Sequence, residues 1–281
     1  MATSPLVVVA GGTGNLGGRI VHALLTHGAQ VRTLVRPDTE PTKITELTAH
    51  GVEVVQAELS DQAALKQALT GAVCVVSALQ GLRDVIVDGQ THLLNAAVAA
   101  GVPRFIPSDF AVDYTVLTPG DNRNFDLRRE FQHVIDKAPI RATSIFNGSF
   151  DGIFAYGTPL YDAQKKSVGH WGDPDHKIDF ATMDDAAAYT AAAALDEAAP
   201  RALHIASFEL SPRELVAAAK QATGQDFTLL PMGTVPSLLD YARHERAAHP
   251  EGEQDLNASW QGMQYLVSML QTHHPHLDND R

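Results

Sequence analysis

Residues 6–20 of the chain read LVVVAGGTGNLGGRI. The run from Leu6 to Ala10 is apolar and mostly β-branched, which is typical of a strand buried on both faces of a parallel sheet. A glycine-rich turn follows this run, and an apolar pattern of helical period begins at Leu16 and Ile20. A strand, a glycine turn and a helix in this order predict a phosphate-binding turn at the start of the helix.

The glycines of this turn have separate physical tasks. Gly11 permits the tight turn, Gly14 lets a phosphate approach the backbone, and Gly17 lets the helix pack closely on the strand. The start of the helix offers free N–H groups and the positive end of its dipole to a pyrophosphate. The alternative is a tight turn that binds no ligand. The residues predicted to contact the cofactor here are Gly11, Thr13, Gly14, Asn15, Leu16 and Gly17.

The size and charge of the chain limit the classes of partner. A chain of 281 residues with 44% hydrophobic content can form a large α/β domain and a smaller lobe. No apolar run reaches the length that spans a membrane. The net charge of −12 argues against nucleic acids and anionic membranes as partners, because both bind basic surfaces.

The single cysteine, Cys74, excludes an intrachain disulfide and fits a reducing compartment. It lies within the apolar run 73–76, so we predict a buried, inert thiol rather than a reactive one. Residues 1–4 lead straight into the first strand, which leaves no room for a cleaved signal sequence. We therefore expect the protein to be cytoplasmic.

Strands and helices alternate through the first half of the chain. This rhythm predicts an α/β fold with a doubly wound, Rossmann-type parallel sheet. After the first strand, we predict strands at 30–35, 52–56, 72–77, 104–107 and 142–146. The intervening helices are predicted at 16–27, 43–50, 62–69, 85–100 and 125–137.

The rhythm breaks after Phe146, and the second half predicts a smaller, mostly helical substrate lobe. We expect a Rossmann domain that binds NADP(H) over residues 1–151, with 177–206 returning to it, and a substrate lobe formed by 152–176 and 207–281. The tail from Thr272 has no apolar period and is expected to fray. The tail carries three histidines that could bind metal adventitiously, His273, His274 and His276. The sequence predicts no dedicated metal site there.

The end of the second strand bears on the choice between NADPH and NADH. Folds specific for NAD carry a carboxylate near this point, whereas this chain carries Arg36, with Lys43 nearby. A guanidinium can bind a 2′-phosphate that a carboxylate would repel, so the sequence favours NADPH. The alternatives are that Arg36 is only a solvated surface residue, or that the nearby Asp38 offsets its charge.

With these features in place, the chain resembles the NmrA-like and isoflavone-reductase-like family of atypical short-chain dehydrogenases. The resemblance runs from Leu6 to about Gly224. Its most specific block is AAGVPRFIPSDF at 99–110, which has aspartate where the family usually has glutamate. The other motifs are GGTGNLG at 11–17, LVR at 34–36 with Lys43, residues 51–61, SAL at 77–79, Gly172 with Asp173, Asp179 with Phe180, and Asp184 with Asp185.

The resemblance implies NADPH bound across the carboxyl ends of the strands, where ligands of open α/β sheets lie. The alternative for Ser108 and Asp109 is a pair of residues in a turn or a helix cap. The residues implied to contact the cofactor are Ala78, Leu79 and Gln80 near the adenosine and phosphates, Pro107, Ser108, Asp109 and Phe110 beside the nicotinamide, and Asn147 and Phe150 closing the site.

One residue departs from the pattern of the family. Catalytic members carry a lysine on the helix after the fifth strand, and Arg128 occupies that position here. An arginine can hydrogen-bond the ribose of the cofactor or polarise a carbonyl, but it cannot act as a general base at neutral pH. The alternative is that Arg128 and Arg129 only form a charged outer face of the helix.

Two functions follow. The chain is either a reductase in which Arg128 orients the cofactor and the carbonyl, or a non-catalytic NADP(H)-sensing regulator like the regulatory branch of the family. For the reductase, the proton would come from water or from a side chain. The candidate donors are Tyr114, Tyr156, Tyr161 and His170, of which Tyr161 and His170 are the preferred catalytic residues beside Arg128.

The aromatic residues predict the class of substrate. None precedes Phe105, and twelve of the eighteen fall between Phe105 and Phe180, which favours a cleft for a flat, apolar molecule. We therefore expect an aromatic or polycyclic carbonyl or enone as substrate, while the oligomeric state, a homodimer included, stays open. The predicted substrate residues are Phe110, Phe150, Phe154, Tyr156, Tyr161 and Trp171.

Overall fold

The structure is a computed structural model that describes residues 4–279. Over that range, no helix is both long enough and apolar enough to cross a membrane. The strands are β1 (Leu6–Ala10), β2 (Gln30–Val35), β3 (Glu53–Gln56), β4 (Ala72–Ser77), β5 (Arg104–Ile106), β6 (Arg141–Ala142), β7 (Ser144–Phe146), β8 (Ser149–Phe150), β9 (Ser167–Trp171), β10 (Ile178–Ala181), β11 (Ala202–His204), β12 (Phe208–Leu210) and β13 (Thr228–Gly233). The helices are α1 (Asn15–Thr26), α2 (Pro41–Ala49), α3 (Gln62–Leu69), α4 (Gln90–Ala99), α5 (Arg123–Ile135), α6 (Ile153–Tyr156), α7 (Met183–Leu195), α8 (Pro212–Thr223), α9 (Val235–Ala248) and α10 (Ser259–Gln271).

Six parallel strands form the central sheet, in the order β3-β2-β1-β4-β5-β6. The strand order reverses direction between β1 and β4, because the chain runs outward from β1 through β2 to β3 and then returns to the other side of β1. Ligands of doubly wound sheets bind at such a reversal, outside the carboxyl ends of the strands. The predicted Rossmann-type parallel sheet is confirmed.

Helices cover both faces of this sheet. On one face, Leu65 of α3, Leu93 of α4 and Phe131 of α5 join Val75 and Phe105 of the sheet in one buried apolar cluster. On the other face, α1 packs against α7, which also contacts β4 and β5. Because both faces are buried, the strands carry nearly continuous apolar runs instead of alternating patterns.

The glycine turn after β1 is held by close backbone contacts. Gly11 has φ +90, and a Cβ built on it would lie only 2.6 Å from the carbonyl oxygen of Ala78, in the loop after β4. The N–H of Gly14 donates to the carbonyl of Gly11 at 2.9 Å, which closes the turn. A Cβ on Gly17 would overlap the carbonyl group of Gly11, so α1 can start this close to the strand only with glycine at position 17.

The predicted strand at 142–146 is divided in two, and the prediction of one strand is therefore wrong. Residues 141–142 pair with β5 as the edge of the central sheet, whereas β7 pairs with β11. The break falls at Thr143, whose N–H still donates to Phe105 while its hydroxyl donates to the carbonyl of Pro200 at 2.7 Å. The side chain of Thr143 is therefore bonded to the segment that precedes β11, at the point where the strand changes its pairing from β5 to β11.

The predicted helix at 85–100 starts with a π-helical turn over Asp84–Gly89 before α4. The turn brings Gln90 into the core, where its Nε2 donates to the carbonyl of Ile86 at 2.8 Å and its Oε1 accepts the N–H of Ser108 at 3.0 Å. A single π-helical turn of this kind often lies beside a functional site. Here the bond between Gln90 and Ser108 connects the start of α4 to the loop after β5.

The chain divides into two compact units, each assembled from three segments. The first contains the chain up to Phe110, Leu127–Ile145 and Met183–Leu203. The second contains Ala111–Asp126, Phe146–Thr182 and the chain from His204 onward. Four stretches thus group with the second unit, although the sequence assigned them to the nucleotide domain: 111–126, 146–151, 177–182 and 204–206. Which ligand each unit binds stays a prediction.

The second unit contains the helices α8, α9 and α10 and also several short strands, of which the sequence predicted β10, as a strand near 177–180, but not β8, β9, β12 or β13. Strands β12, β10 and β8 form a three-stranded sheet, and β9 pairs in parallel with β13. The unpredicted strands lie after Phe146, where the regular alternation of strands and helices that identified the strands of the first half ends.

We expect the Cys74 thiol to be unreactive in the native protein. The side chain is fully buried, and burial raises its pKa to about 12, so the thiolate that attacks thiol reagents is scarcely populated at neutral pH. Labelling with Ellman's reagent should be slow in native protein and fast in denaturant. Rapid stoichiometric labelling of native protein would contradict the buried placement of β4.

Replacing Gly11 by alanine should destabilise the protein more than the same change at Gly28. Both residues have positive φ, +90 and +76, so both variants carry the backbone strain of about 1 kcal/mol. Only at Gly11 does the new Cβ also meet a backbone carbonyl, because nothing lies within 4 Å of a Cβ at Gly28. We expect a further loss of roughly 1–3 kcal/mol at Gly11, measured by urea unfolding. Equal losses for the two variants would show that the close approach is not a constraint.

Candidate functional site

The start of α1 is an open cluster of backbone donors in the first unit. Gly14 precedes the helix, no side chain caps its first turn, and that turn contains no acidic residue. Gly14 and Asn15 are exposed to solvent. The unpaired N–H groups and the positive end of the helix dipole suit a phosphate group. The predicted residues Gly11, Thr13, Gly14, Asn15, Leu16 and Gly17 all lie in this turn or in the first turn of the helix.

A line of direct contacts continues from the glycine turn across three neighbouring strand ends. Gly11 lies against the carbonyl of Ala78 after β4, and the hydroxyl of Ser108, after β5, donates to the carbonyl of Leu79 at 2.6 Å. The Nε atom of Arg128 donates to the carbonyl of Ser108 at 3.0 Å. The structure thus brings the carboxyl ends of β1, β4 and β5 together with α5. Pro107 is buried in this region, Phe110 is half-buried and Gln80 is exposed.

Ser108 and Asp109 are both engaged within the protein. Ser108 is 5% exposed, and its N–H and hydroxyl bond to Gln90 and Leu79. Asp109 is 2% exposed and accepts the hydroxyl of Ser144 at 2.6 Å, while Ser144 in turn accepts from Arg201 at 2.7 Å. These bonds fix the loop after β5, and the side chains of both residues position that loop.

Arg128 lies beside the sheet rather than on an outer face of its helix. The side chain is half-buried, and its bond to the Ser108 carbonyl holds the guanidinium at the end of β5. An arginine keeps its charge at any physiological pH. The arrangement can therefore supply a fixed positive charge, but not a base, to a group bound at this strand end.

Arg36 and Lys43 lie on the surface after β2. The Arg36 side chain is 78% exposed, and its Nε atom lies 3.2 Å from the carboxylate of Asp38, which is 76% exposed. Lys43 is exposed in the first half of α2. A pair this exposed contributes little to stability, so a phosphate could replace Asp38 at small cost.

The remaining predicted cofactor residues, Asn147 and Phe150, lie in the second unit. Asn147 is fully buried, and its N–H donates to Ala111 at 2.9 Å. Its Oδ1 atom has no hydrogen-bond partner among residues 4–279. A buried acceptor without a partner is costly and is often explained by a ligand or an ordered water. Phe150 is half-buried in β8.

Part of the predicted aromatic set forms one cluster in the second unit. The ring of Phe154 meets Tyr161 edge-on at 5.6 Å and Phe180 at 5.1 Å, and Tyr161 stacks on Phe227 at 5.5 Å. Phe154 and Tyr161 are half-buried, so part of this cluster reaches the surface. The sequence placed Phe180 near the cleft but did not single out Phe227. The side chain of Tyr156 lies outside the described part of the chain.

The other predicted residues of this unit have different surroundings. His170 and Trp171 are consecutive in β9 and therefore point to opposite faces. Trp171 is 6% exposed, which leaves little of its ring available to a ligand, while the Nδ1 atom of His170 lies 3.1 Å from the carbonyl of Gly172. Tyr114 is fully buried between the rings of Phe125 and Phe146 and is not exposed to solvent as a proton donor.

The tail beyond α10 is bonded to the second unit, so the prediction that it frays is wrong for residues 272–279. The N–H of His274 donates to Asp179 at 3.2 Å, and the N–H of Asp278 donates to the carbonyl of His204 at 2.6 Å. Asn279 exchanges two further hydrogen bonds with Ala206. Residues 280 and 281 lie outside the described range.

Two groups of titratable residues along this tail were missed by the sequence. One contains Asp113, His204 and His274, and the other contains Asp179, Glu209 and His273. Burial raises the pKa of Asp113, but hydrogen bonds from His204 and Thr115 outweigh it and bring the pKa below its usual value. Burial and the neighbouring His204 lower the pKa of His274, and burial raises the pKa of Asp179. The histidines of the tail were the only local signal, because their partners are distant in sequence.

Comparison with known proteins places the chain in a family. The profile of the NmrA-like family matches residues 3–238. Pinoresinol reductase 2 of Arabidopsis thaliana is 34% identical over 201 residues, which are 66% of this chain and 63% of that protein. A bifunctional pinoresinol-lariciresinol reductase of Linum perenne is 31% identical over 258 residues and 81% of both proteins.

A solved structure extends the similarity to the whole fold. The structure of AtPrR2 with NADP+ and (+)pinoresinol superimposes with a TM-score of 0.80 and 25% identity, covering 100% of this chain and 93% of that one. The alignment with the Arabidopsis thaliana sequence spans less than two thirds of that relative, whereas the structural match spans nearly all of its counterpart. The family profile, the sequence relatives and the fold agree, and the chain belongs to the NmrA-like family.

Proposed function

We propose that this chain is an NADPH-dependent reductase that transfers a hydride to an aromatic small molecule of the carbonyl or enone class. The observation that carries the proposal is the line of contacts from Gly11 through Leu79 and Ser108 to Arg128. It joins a phosphate-binding turn to a fixed positive charge along one edge of the sheet. The relatives named as pinoresinol reductases, and the NADP+ in the matching structure, support the same activity.

In this proposal the first unit binds the cofactor. The open N–H groups at the start of α1 hold the pyrophosphate, and Arg36 with Lys43 binds the 2′-phosphate that distinguishes NADPH from NADH. The loops after β4 and β5 line the path to the nicotinamide through Ala78, Leu79, Gln80, Pro107 and Phe110. Bound NADPH supplies the hydride from its nicotinamide ring.

Arg128 would act by charge and hydrogen bonding. Its position at the end of β5 suits contact with the ribose of the cofactor or with a carbonyl oxygen on which negative charge develops. The proton that completes the reduction comes from water or from Tyr161 or His170. The proposed aromatic substrate is bound by rings of the second unit, among which Phe154 and Tyr161 already form one cluster.

A second candidate is a non-catalytic NADP(H)-sensing regulator. The observation that favours it is arginine at the position where catalytic relatives are expected to have lysine. Titration with NADPH and NADH, followed by a turnover screen on aromatic ketones and enones, separates the two functions. Turnover supports the reductase, whereas tight binding without any turnover supports the sensor. No binding of either nucleotide would contradict both.

We also propose a cytoplasmic location. The support is the single, buried cysteine, which needs no oxidising compartment to pair it.

Arg36→Ala should weaken NADPH binding about tenfold and change NADH binding by less than about twofold, because the guanidinium contacts only the 2′-phosphate. Fluorescence titration with the two nucleotides measures both constants. Arg213→Ala is the matched control, since Arg213 is also exposed and is paired with an exposed aspartate at 2.8 Å. Equal weakening of NADPH binding and NADH binding would show that Arg36 does not recognise the 2′-phosphate.

Arg128→Ala should lower kcat/KM for a reducible aromatic substrate roughly a hundredfold, because a fixed charge at the reacting end of the cofactor is lost. Arg128→Lys should keep part of the activity, since it keeps the charge. Arg129→Ala removes the same charge from the next position of the helix and should leave turnover nearly unchanged. Equal effects of the alanine substitutions at 128 and 129 would mean that only the overall charge of the helix matters.

A further inference from the structure

Two consecutive histidines of the tail after α10 belong to two different groups of titratable side chains. Thr272, which precedes them, is extended, and the side chains of His273 and His274 contact different partners. The Nε2 atom of His273 bonds to Glu209 at 2.7 Å. The imidazole of His274 lies against that of His204, with ring centroids 3.9 Å apart.

Three potential metal ligands converge on the His274 side. The Oδ2 atom of Asp113 lies 3.0 Å from Nε2 of His204 and 3.9 Å from Nε2 of His274. All three ligand atoms lie within 4.8 Å of one another. In a tetrahedral zinc site with bonds of about 2.0–2.2 Å, neighbouring ligand atoms are about 3.3–3.6 Å apart. The two measured separations fall on either side of this range, so small side-chain rotations would suffice to admit an ion.

The carboxylate of Asp113 is already oriented for such a role. Its Oδ1 atom accepts the N–H of Thr115 at 2.9 Å and the hydroxyl of Thr115 at 2.5 Å. These bonds fix the carboxylate and turn Oδ2 toward the two histidines. Outer partners of this kind hold ligands in position in natural zinc sites.

The surroundings of the two imidazoles also favour a metal site. The Nε2 atom of His274 is buried and has no hydrogen-bond partner among residues 4–279, which is a costly state for a polar atom. On the other side of His204, Nδ1 lies 4.0 Å from the carboxylate of Asp278, which is itself held by the N–H of His204 at 2.9 Å. A carboxylate near the second ring nitrogen is the usual companion of a histidine that binds zinc.

We propose that Asp113, His204 and His274 bind one divalent transition-metal ion, Zn²⁺, with the fourth position left to water. Two imidazole nitrogens and one carboxylate oxygen suit zinc and disfavour Mg²⁺, which prefers oxygen ligands. Because His274 belongs to the tail and the other two ligands lie 70 or more positions earlier in the chain, the ion would fasten the tail to the second unit. This structural role is independent of the proposed reductase activity.

The test is a calorimetric titration of the chelator-treated full-length chain with Zn²⁺, and with Mg²⁺ as a separate probe. We expect one Zn²⁺ bound per chain, no Mg²⁺ binding, and a higher unfolding temperature with zinc. Affinity should fall at least about tenfold in His204→Ala, His274→Ala and Asp113→Asn. His276→Ala is the matched control, because His276 belongs to the same tail, is exposed and lies outside both groups.

The variants also locate the ion. Circular dichroism checks that each variant is folded, and His274→Gln, which keeps a polar side chain of similar length, replaces any alanine variant that is not. Loss of binding in His273→Ala but not in His274→Ala would move the site to Asp179 and Glu209 and overturn the proposal. Absence of stoichiometric zinc binding, or equal affinity in all variants, would overturn it as well.

Discussion

The contact between Gly11 and Ala78 is the constraint on which the edge of the first unit at the carboxyl ends of its strands depends. The two backbones approach so closely that a single extra carbon atom would overlap the carbonyl of Ala78. Because this approach joins the turn after β1 to the loop after β4, it sets the distance between the helix start and the neighbouring strand ends. The bonds from Leu79 to Ser108 and from Ser108 to Arg128 then extend the same arrangement to α5.

The two arginines assigned to the cofactor differ in how firmly they are held. Arg128 is half-buried and bonded to a neutral carbonyl, so its charge is in place before any ligand arrives, as electrostatic preorganisation requires. Arg36 is solvent-exposed and bonded to an exposed carboxylate that a phosphate can displace. A half-buried charge held by the backbone suits the reacting end of a cofactor, where geometry matters most, whereas an exposed charge is adequate for recognising a phosphate group.

The sequence predicted the features that rest on local chemistry. The glycine turn and the alternation of strands and helices follow from residue types and spacing, and the sheet order agrees with them. The position of Arg128 near the fifth strand is implied by the resemblance to the family, and its bond to Ser108 places it there. What could not be predicted depends on partners far along the chain. The strand changes partner at Thr143, whose hydroxyl bonds to Pro200, Asp109 is bonded through Ser144 to Arg201, and the tail is anchored on Asp179 and His204. The two members of each pair lie too far apart in the sequence for a local pattern to reveal that they interact.

The division of each unit into three separated segments affects how the protein can be made and dissected. A ribosome must synthesise the chain as far as Leu203 before the last segment of the first unit exists in full, so that unit cannot complete its packing during the early part of translation. For the same reason, no single cut yields the first unit intact: truncation after Phe110 omits α5 with Arg128 and also α7, which covers one face of the sheet. Recombination can therefore not exchange either unit as one contiguous block of sequence.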